Sequence, residues 1–171
     1  MTRARKERSI LFQQENIKLV FDGTKTQTRR PVKQGQEKCP YGEVGDLLWV
    51  KEQYAHLYGD IYEYKSTFCQ PDNQPMVNIK WVSSRFMPKK AARVWLEILD
   101  VKKEPLNSIS EEDAKAEGPK QLEILQSTGV NFAHIWRTSF CSLWDSIYEK
   151  KGLGWDTNPT CWAITFKRVE R

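Results

Sequence analysis

The segment GTKTQTRRP at residues 23–31 concentrates side chains that could carry out chemistry. They include an amine, two hydroxyls and two guanidinium groups, on Lys25, Thr26, Thr28, Arg29 and Arg30. A desolvated lysine beside an arginine has a lowered pKa, so it could take the proton of a threonine hydroxyl or of a water. It would also need a carboxylate to hold it. The alternative is a surface hairpin with solvated charges, and the residues alone favour that alternative.

The position of this segment in the fold decides whether its side chains can meet. Lys25 and Thr28 are three residues apart, so in a regular strand they would point to opposite faces. They could meet only where the backbone still turns after Gly23. The preceding pattern QQENIKLVF, residues 13–21, has the spacing of a short helix, and Asp22-Gly23 provides its stop. The exit of this helix would be such a turn.

The remaining elements alternate between strand and helix patterns. Strands are predicted up to Pro31 and at residues 47–52, 61–65, 94–99 and 161–169. Helices are predicted at residues 108–118, with serine caps, and at about 132–151. The second helix carries an aromatic stripe that core packing explains better than a ligand box. This order suits a mixed α+β domain whose strands curl into a small barrel with helices at its rim.

Composition narrows the class of protein. A chain of 171 residues most simply forms one domain, 1–171, and we expect residues 1–9 to be a flexible basic terminus. The net charge of +5 leans toward anionic ligands such as nucleotides or RNA. No apolar run could span a membrane, so we expect a cytoplasmic protein, and the four scattered cysteines are interpreted as free thiols.

Several common catalytic motifs are missing from the sequence. It has no phosphate loop, no G-x-S-x-G elbow and no H-E-x-x-H zinc motif. Their absence disfavours nucleoside triphosphate chemistry and zinc hydrolysis. Catalysis would then depend on lysine, threonine, arginine and carboxylate side chains.

Several segments together resemble the ASCH family, which is often encoded in phages and prophages. They are DGTKTQTRRP, CPYGEVGDLLWVKE, RFMPKKAARVWLEILDVKKEPLNSISEEDAKAEG, LWDSIYEKKGLGWDTNP and WAITFKRV. The resemblance spans about Ile10 to the end of the chain. It implies a PUA-like fold, a small β-barrel with flanking helices, which agrees with the predicted order of elements.

The resemblance also implies an activity. It is to a branch of metal-independent amidohydrolases, without cofactors, that remove the acyl group from N(4)-acetylcytidine and related acylated cytidines. The family's K-T-x-T segment places its lysine and threonine on Lys25 and Thr28, and its A-x-x-E segment, AKAE here, places its glutamate on Glu117. In the implied mechanism Lys25 is the base, Thr28 attacks or positions a water, and Glu117 orients Lys25. Arg30 would bind the base carbonyl or stabilise the oxyanion.

Four further residues are candidates for substrate binding: Thr26, Arg29, Glu52 and Trp155. Glu52 could be a second carboxylate at the barrel mouth, with a solvated strand end as the alternative. Trp155 could stack a base or belong to a packed loop. Compared with the branch, the chain is longer around residues 58–75 and 120–131, which could reshape the acyl pocket.

The main alternative is an RNA-binding module or a metal-independent ribonuclease. Here a tryptophan would stack a base, and phosphates would be held by six cations, Arg29, Arg30, Lys33, Lys89, Lys90 and Arg93. The natural substrate, the acyl range, the oligomeric state and the choice between threonine and water as nucleophile stay open.

Overall fold

The computed structural model describes residues 4–68, 78–118 and 134–171. The strands are β1 (Glu7–Leu11), β2 (Gln27–Pro31), β3 (Leu47–Lys51), β4 (Tyr54–Tyr58), β5 (Ile61–Tyr64), β6 (Trp95–Pro105) and β7 (Thr160–Val169). The α-helices within these ranges are α1 (Gln14–Phe21), α2 (Glu111–Ala116) and α3 (Ile135–Tyr148). Short 3₁₀ turns include Ser84–Phe86 and Trp155–Thr157. The predicted mixed α+β class is confirmed.

Five strands form the main sheet in the order β1-β3-β6-β7-β2, and β4 and β5 form a separate hairpin. β1 runs parallel to β3, and the other pairings are antiparallel. A register shift between Ile98 and Asp100 interrupts the long β6–β7 pairing, where a bulge bends the sheet. The guanidinium of Arg30 on edge strand β2 donates to the Leu11 carbonyl, 2.9 Å away, at the end of edge strand β1. The two edges therefore approach each other, as in a small barrel.

The core lies between the curled sheet and α1. Ile17 and Val20 project from α1 at helical spacing, and alternate residues of the strands meet them because successive side chains of a pleated strand point to opposite faces of the sheet. The strand residues of this cluster are Ile10, Leu48, Val50, Leu96, Ile98, Trp162, Ile164 and Phe166. A second cluster joins α2 and α3 to β7 through Ala114, Phe140, Trp144 and Cys161. The helices are thus fixed to one end of the sheet.

Local signals explain the helix ends around the candidate site. The Ser110 hydroxyl accepts from the Asp113 amide at 3.1 Å, which is the predicted cap of α2. Gly118 follows α2 with a φ of +70°, a conformation in which glycine avoids the steric cost of a Cβ atom. Gly23 follows α1 with a φ of +82°, which confirms the predicted stop. β2 starts at Gln27, so Lys25 lies outside the regular strand, in the short segment between the turn at Gly23 and β2.

Two strands were not predicted. Residues 7–9 belong to β1, not to a flexible terminus, because the Lys6 carbonyl accepts from the Leu47 amide at 2.9 Å and the strand then pairs with β3. β4 was also missed, and β6 extends beyond the predicted residues 94–99. The first expected insertion, residues 58–75, contains β5 and the turn before it, whereas β4 begins earlier, at Tyr54. Residues 69–75 of this insertion lie outside the described residues, as do residues 120–131 and Cys69.

The cysteine prediction is confirmed for three residues, since Cys39, Cys141 and Cys161 are free thiols. Among the described residues, none of the helices has the length and apolar character that crossing a membrane requires.

Candidate active site

Two helix ends hold the segment that carries Lys25. The Lys25 amide donates to the Leu19 carbonyl in α1 at 2.9 Å, and the Thr26 amide donates to the Ala116 carbonyl in α2 at the same distance. Residues 24–26 are therefore fixed between the ends of α1 and α2. This arrangement directs the Lys25 side chain toward the C-terminus of α2.

Lys25 and Glu117 form a buried ion pair. The Lys25 ammonium donates to Glu117 Oε2 at 2.7 Å and to the Glu117 main-chain carbonyl at 2.5 Å. Each residue is 3% exposed. The C-terminus of a helix carries a partial negative charge, which alone would disfavour the Glu117 carboxylate. The ammonium compensates both the carboxylate and the helix end, so the lysine is fixed by two acceptors.

The surroundings of Lys25 lower its pKa below the ordinary 10.5. Burial is the largest cause, because it disfavours the charged ammonium. Arg30 and Arg29 lower the pKa further by repulsion, while Glu117 opposes the shift through its charge and its hydrogen bond. At a given pH the neutral amine, which can accept a proton, is therefore more populated than in an ordinary lysine.

Arg29 lies near the carboxylate oxygen of Glu117 that Lys25 does not contact. Its Nη1 lies 3.7 Å from Glu117 Oε1 and donates to the Gln27 side chain. Its Nη2 donates to Glu104 at 2.7 Å and to Asp113 at 3.1 Å. Arg29 is buried, and both of its terminal nitrogens already contact these partners. The sequence predicts a substrate-binding residue here, but the contacts of Arg29 are those of a residue that holds the carboxylate in place.

Glu117 retains one buried oxygen that could bind a ligand. Its Oε1 has no hydrogen-bond partner among the described residues, although it is shielded from solvent. Buried carboxylate oxygens in native proteins are normally satisfied by protein or by ordered water. Glu117 lines a small cavity together with Lys25 and Thr28, so a bound water or a substrate N–H group in that cavity could satisfy this oxygen.

Thr28 is held by Arg30. The Arg30 Nη1 donates to Thr28 Oγ1 at 2.6 Å and to the Arg29 carbonyl at 2.9 Å, and its cation lies 5.4 Å from the centre of the Phe12 ring. Thr28 and Arg30 lie on one face of β2, as the strand alternation predicts. Thr28 is 0% exposed. Its oxygen is thus oriented by a cation that would stabilise negative charge on it.

A small buried cavity brings the three predicted catalytic residues together. Lys25, Thr28 and Glu117 all line it, together with Arg29 and Arg30. Its volume is about 30 Å³, enough for one or two waters. Helix α3 also lines the cavity. It contributes four residues of the aromatic stripe that was predicted to be core, Phe140, Leu143, Trp144 and Ile147, and in addition Tyr148.

A larger outer pocket adjoins this cavity. The two share the lining residues Asn16, Arg30, Ile147 and Tyr148. The outer pocket has a volume of about 500 Å³, within the usual range for small-molecule sites. Its other described lining residues are Leu11, Phe12, Gln13, Tyr41, Ser83, Ser84, Arg85 and Lys151. The sequence did not single out Asn16 or Tyr148, because each belongs to a helix whose cavity-facing side depends on long-range packing.

Three predicted binding residues lie away from the small cavity. The Thr26 side chain is exposed. Glu52 is fully buried in a bidentate pair with Arg93, at 2.9 Å for both hydrogen bonds, so neither a solvated strand end nor a free carboxylate at the barrel mouth describes it. Trp155 packs against Phe140, with ring centres 6.3 Å apart, as the packed-loop alternative predicted.

Comparisons with known proteins identify the fold. No family model and no curated protein matches the sequence. The crystal structure of an ASCH domain from Lactobacillus crispatus JV V101 aligns over 97% of this chain and 81% of its own, with a TM-score of 0.53 and 15% identity. Protein EF3133 from Enterococcus faecalis V583, of family DUF984, aligns over 99% and 84%, with a TM-score of 0.51 and 14% identity. At these identities the likeness concerns the fold, which is the PUA-like fold of an ASCH domain.

Proposed function

We propose that this chain, which has the fold of an ASCH domain, is an amidohydrolase that removes the acyl group from N(4)-acylated cytidine. The observation that carries the proposal is the convergence of Lys25, Thr28 and Glu117 on one buried cavity beside a pocket of nucleoside size. The resemblance of the sequence motifs to the amidohydrolase branch names the substrate, and the fold is compatible with it. No metal ion or cofactor takes part in the proposed reaction.

Lys25 acts as the base in this proposal. A base must be neutral to accept a proton, and burial favours the neutral amine by lowering the pKa of Lys25. Glu117 holds the amine through a 2.7 Å hydrogen bond. After proton transfer the ammonium again faces the carboxylate. The pair therefore stabilises the charge that develops on Lys25 during the reaction.

The first chemical step adds an oxygen nucleophile to the acyl carbonyl. The nucleophile is either a water in the small cavity or the Thr28 hydroxyl, and its proton passes to Lys25 as the carbon–oxygen bond forms. The Arg30 guanidinium, 2.6 Å from Thr28 Oγ1, lies where it can stabilise negative charge on Thr28 or on the carbonyl oxygen. These contacts of Arg30 support oxyanion stabilisation more than the alternative role, binding of the base carbonyl.

The second step breaks the bond between the carbonyl carbon and N4. The proton held by Lys25 passes to N4, which leaves as the exocyclic amine of cytidine. Attack by water releases the carboxylic acid directly. Attack by Thr28 leaves an acyl ester, which a water hydrolyses by the same proton transfers. Delocalisation of the amine into the cytosine ring makes it a better leaving group than an alkyl amine.

The outer pocket would hold the nucleoside. It provides aromatic side chains, Phe12, Tyr41 and Tyr148, against which a planar base can pack. The cavity is too small for a base, but it has room for the attacking water or the carbonyl oxygen. The acyl carbonyl is therefore expected at the boundary of the two spaces, beside Arg30.

The alternative of a general RNA-binding module has less support from the contacts. Of its six proposed phosphate ligands, four are already in ion pairs with carboxylates: Arg29, Lys89, Lys90 and Arg93. A cation that is paired within the protein gains less from a phosphate. Those residues do not form a free basic surface.

The deciding experiment follows release of cytidine from N(4)-acetylcytidine by chromatography in the presence of a chelator. Lys25→Ala, Thr28→Ala and Glu117→Ala should each lower kcat/KM by about 10²–10⁴-fold, the usual contribution of an acid–base group. Thr26→Ala and Lys115→Ala are matched controls, since both residues lie near the segment but do not line the small cavity. They should retain activity. Unchanged turnover in Lys25→Ala would remove the proposed mechanism.

A folding control accompanies these variants, because all three residues are buried. Circular dichroism and thermal unfolding identify any variant that loses activity by unfolding. Lys25→Met and Glu117→Gln keep the volume of the side chains and provide a second test. A folded Lys25→Met protein with wild-type kcat/KM would contradict the assignment of Lys25 as the base.

A further inference from the structure

We propose that the outer pocket binds a phosphate group, so that the substrate is a phosphorylated cytidine derivative and not the free nucleoside. The identity of the base rests on the proposed function above, but the phosphate site can be tested without turnover. The pocket provides two features that a neutral nucleoside does not require: an excess of positive charge and a group of hydroxyls beside it.

The charge of the pocket is one-sided. Arg30, Arg85 and Lys151 line it, and none of its described lining residues is an aspartate or glutamate. The surface elsewhere mixes both signs, with ion pairs such as Lys102–Asp100 and Lys90–Asp60. Three cations around one concave space produce a positive potential, which a low-dielectric wall concentrates. An anionic ligand is the complement of this pocket.

Among the described residues, these cations also lack carboxylate partners. Within residues 4–68, 78–118 and 134–171, no ion pair joins Arg30, Arg85 or Lys151 to an acid. Within these ranges, all of the oxygens that accept a hydrogen bond from the Arg30 guanidinium are neutral. This contrasts with Arg29, which meets three carboxylates. Of the two adjacent arginines of β2, Arg29 therefore pairs with internal carboxylates, and Arg30 lines the pocket.

The segment 83–85 forms one wall of the pocket. It contributes the side chains of Ser83, Ser84 and Arg85, two hydroxyls and a guanidinium, which are groups that donate hydrogen bonds to phosphate oxygens. The Lys51 ammonium donates to the Arg85 carbonyl at 2.8 Å, which fixes this wall and adds a further positive charge near it. The exposed Arg85 side chain is free to reach a ligand.

The opposite wall combines a cation with an aromatic ring. The Lys151 ammonium lies 5.0 Å from the centre of the Tyr148 ring, and Tyr148 also lines the small cavity. A base that packs near Tyr148 with its exocyclic amine toward Lys25 would leave its sugar in the outer pocket. The phosphate on that sugar would then lie among Lys151, Arg85 and the two serines.

The first test measures binding by calorimetry at low salt. Cytidine is compared with cytidine 5′-monophosphate and cytidine 3′-monophosphate, which are reaction products and need no turnover. We expect at least one monophosphate to bind tenfold or more tightly than cytidine, with a preference that falls as salt rises. Equal affinities of cytidine and both monophosphates would overturn the proposal.

The variants in this test separate a specific site from net charge. Arg85→Gln/Lys151→Gln should abolish the preference for phosphate and leave cytidine binding unchanged. Lys33→Gln/Lys150→Gln removes the same charge from exposed positions outside the pocket and should retain the preference. Equal losses in both double variants would mean that the preference comes from overall charge, and this would also overturn the proposal.

The second test compares turnover of acetylated cytidine, its 5′- and 3′-monophosphates and a short oligoribonucleotide with one acetylated cytidine. A tenfold higher kcat/KM for a mononucleotide identifies a terminal phosphate as the ligand, and a further gain for the oligonucleotide identifies a phosphodiester. Hydrolysis of all four with equal kcat/KM retains the proposed function and removes the phosphate site. Monophosphate binding that depends on Arg85 and Lys151, without any hydrolysis, retains the site and removes the proposed function.

Discussion

The buried pair of Lys25 and Glu117 can be tested by a double-mutant cycle. The perturbations are Lys25→Met, Glu117→Gln and both together, chosen because they remove charge while keeping volume. In wild type the ammonium and the carboxylate oxygen are 2.7 Å apart, and the two side chains are 2% and 4% exposed. With one partner changed, the other charge remains buried with less compensation.

The expected magnitude follows from this geometry. At 2.7 Å and an effective dielectric constant of about 20, the Coulomb attraction is about 6 kcal/mol. The cost of desolvating both groups offsets part of it, so breaking the pair from one side should lower the free energy of unfolding by about 3–5 kcal/mol. The double variant leaves neither charge behind. Its loss should therefore be smaller than the sum of the single losses by at least about 2 kcal/mol.

The assay is urea unfolding monitored by tryptophan fluorescence, with the slope of each transition compared to verify two-state behaviour. The exposed pair Lys102–Asp100, 3.0 Å apart, is the matched control. Lys102→Met/Asp100→Asn should give a coupling below about 1 kcal/mol, as surface pairs do. A coupling for Lys25 and Glu117 no larger than that of the control would refute the interpretation that the two residues form a desolvated unit.

Four further predictions concern the pH dependence of catalysis, the pH dependence of stability, backbone strain and thiol reactivity. If Lys25 is the base, kcat/KM should rise with pH, and the midpoint of this rise should lie below 10.5. The midpoint should fall further in Glu117→Gln, because the carboxylate no longer raises the pKa of Lys25. A midpoint at or above 10.5 would exclude this role. Because the pKa of Lys25 is lowered in the folded state, the unfolded chain binds more protons than the folded chain between the folded-state pKa and 10.5. The free energy of unfolding of wild type relative to Lys25→Met should therefore rise with pH in that window. Denaturation at several pH values measures this rise. Gly118→Ala should cost about 1–2 kcal/mol in urea unfolding, because alanine at a φ of +70° is strained and its Cβ would lie 3.4 Å from the Lys25 Cβ; a neutral effect would contradict this backbone conformation. Burial raises the pKa of the Cys161 thiol to about 12 and is the largest cause of the rise of the Cys141 pKa to about 11, so mass spectrometry should find both thiols slow to alkylate at neutral pH, and rapid modification of either in folded protein would contradict this environment.

The sequence predicted the elements whose signals are local. The Ser110 cap and the Gly23 and Gly118 ends depend on neighbours within a few residues, and each is present in the structure. The predicted alternation of β7 also holds for Trp162, Ile164 and Phe166, which share the main core. β1 was missed because its pattern, ERSIL, buries one residue fully, Ile10, and its pairing with β3 joins segments about 40 residues apart. Such a contact leaves little trace in the local sequence.

For the candidate site, the motif residues and the pairing of Lys25 with Glu117 could be predicted, but the partners of Arg29 could not. Lys25, Thr28 and Glu117 were predicted from short segments, and they line one cavity. The partners of Arg29 were not predicted, because Glu104 and Asp113 are 75 and 84 residues away along the chain. Which charges face a cavity and which pair internally depends on the strand register, and the sequence does not specify it.

The hydrogen bond from Arg30 to the Leu11 carbonyl has a consequence for the beginning of the chain. It crosses the seam between the first and second strands, and the same guanidinium orients Thr28. Removing residues 1–11, or covering them with a fused protein, would therefore weaken the orientation of the Thr28 hydroxyl, although Thr28 lies outside the altered segment. An amino-terminal extension that pulls the first strand away from the seam would have the same effect.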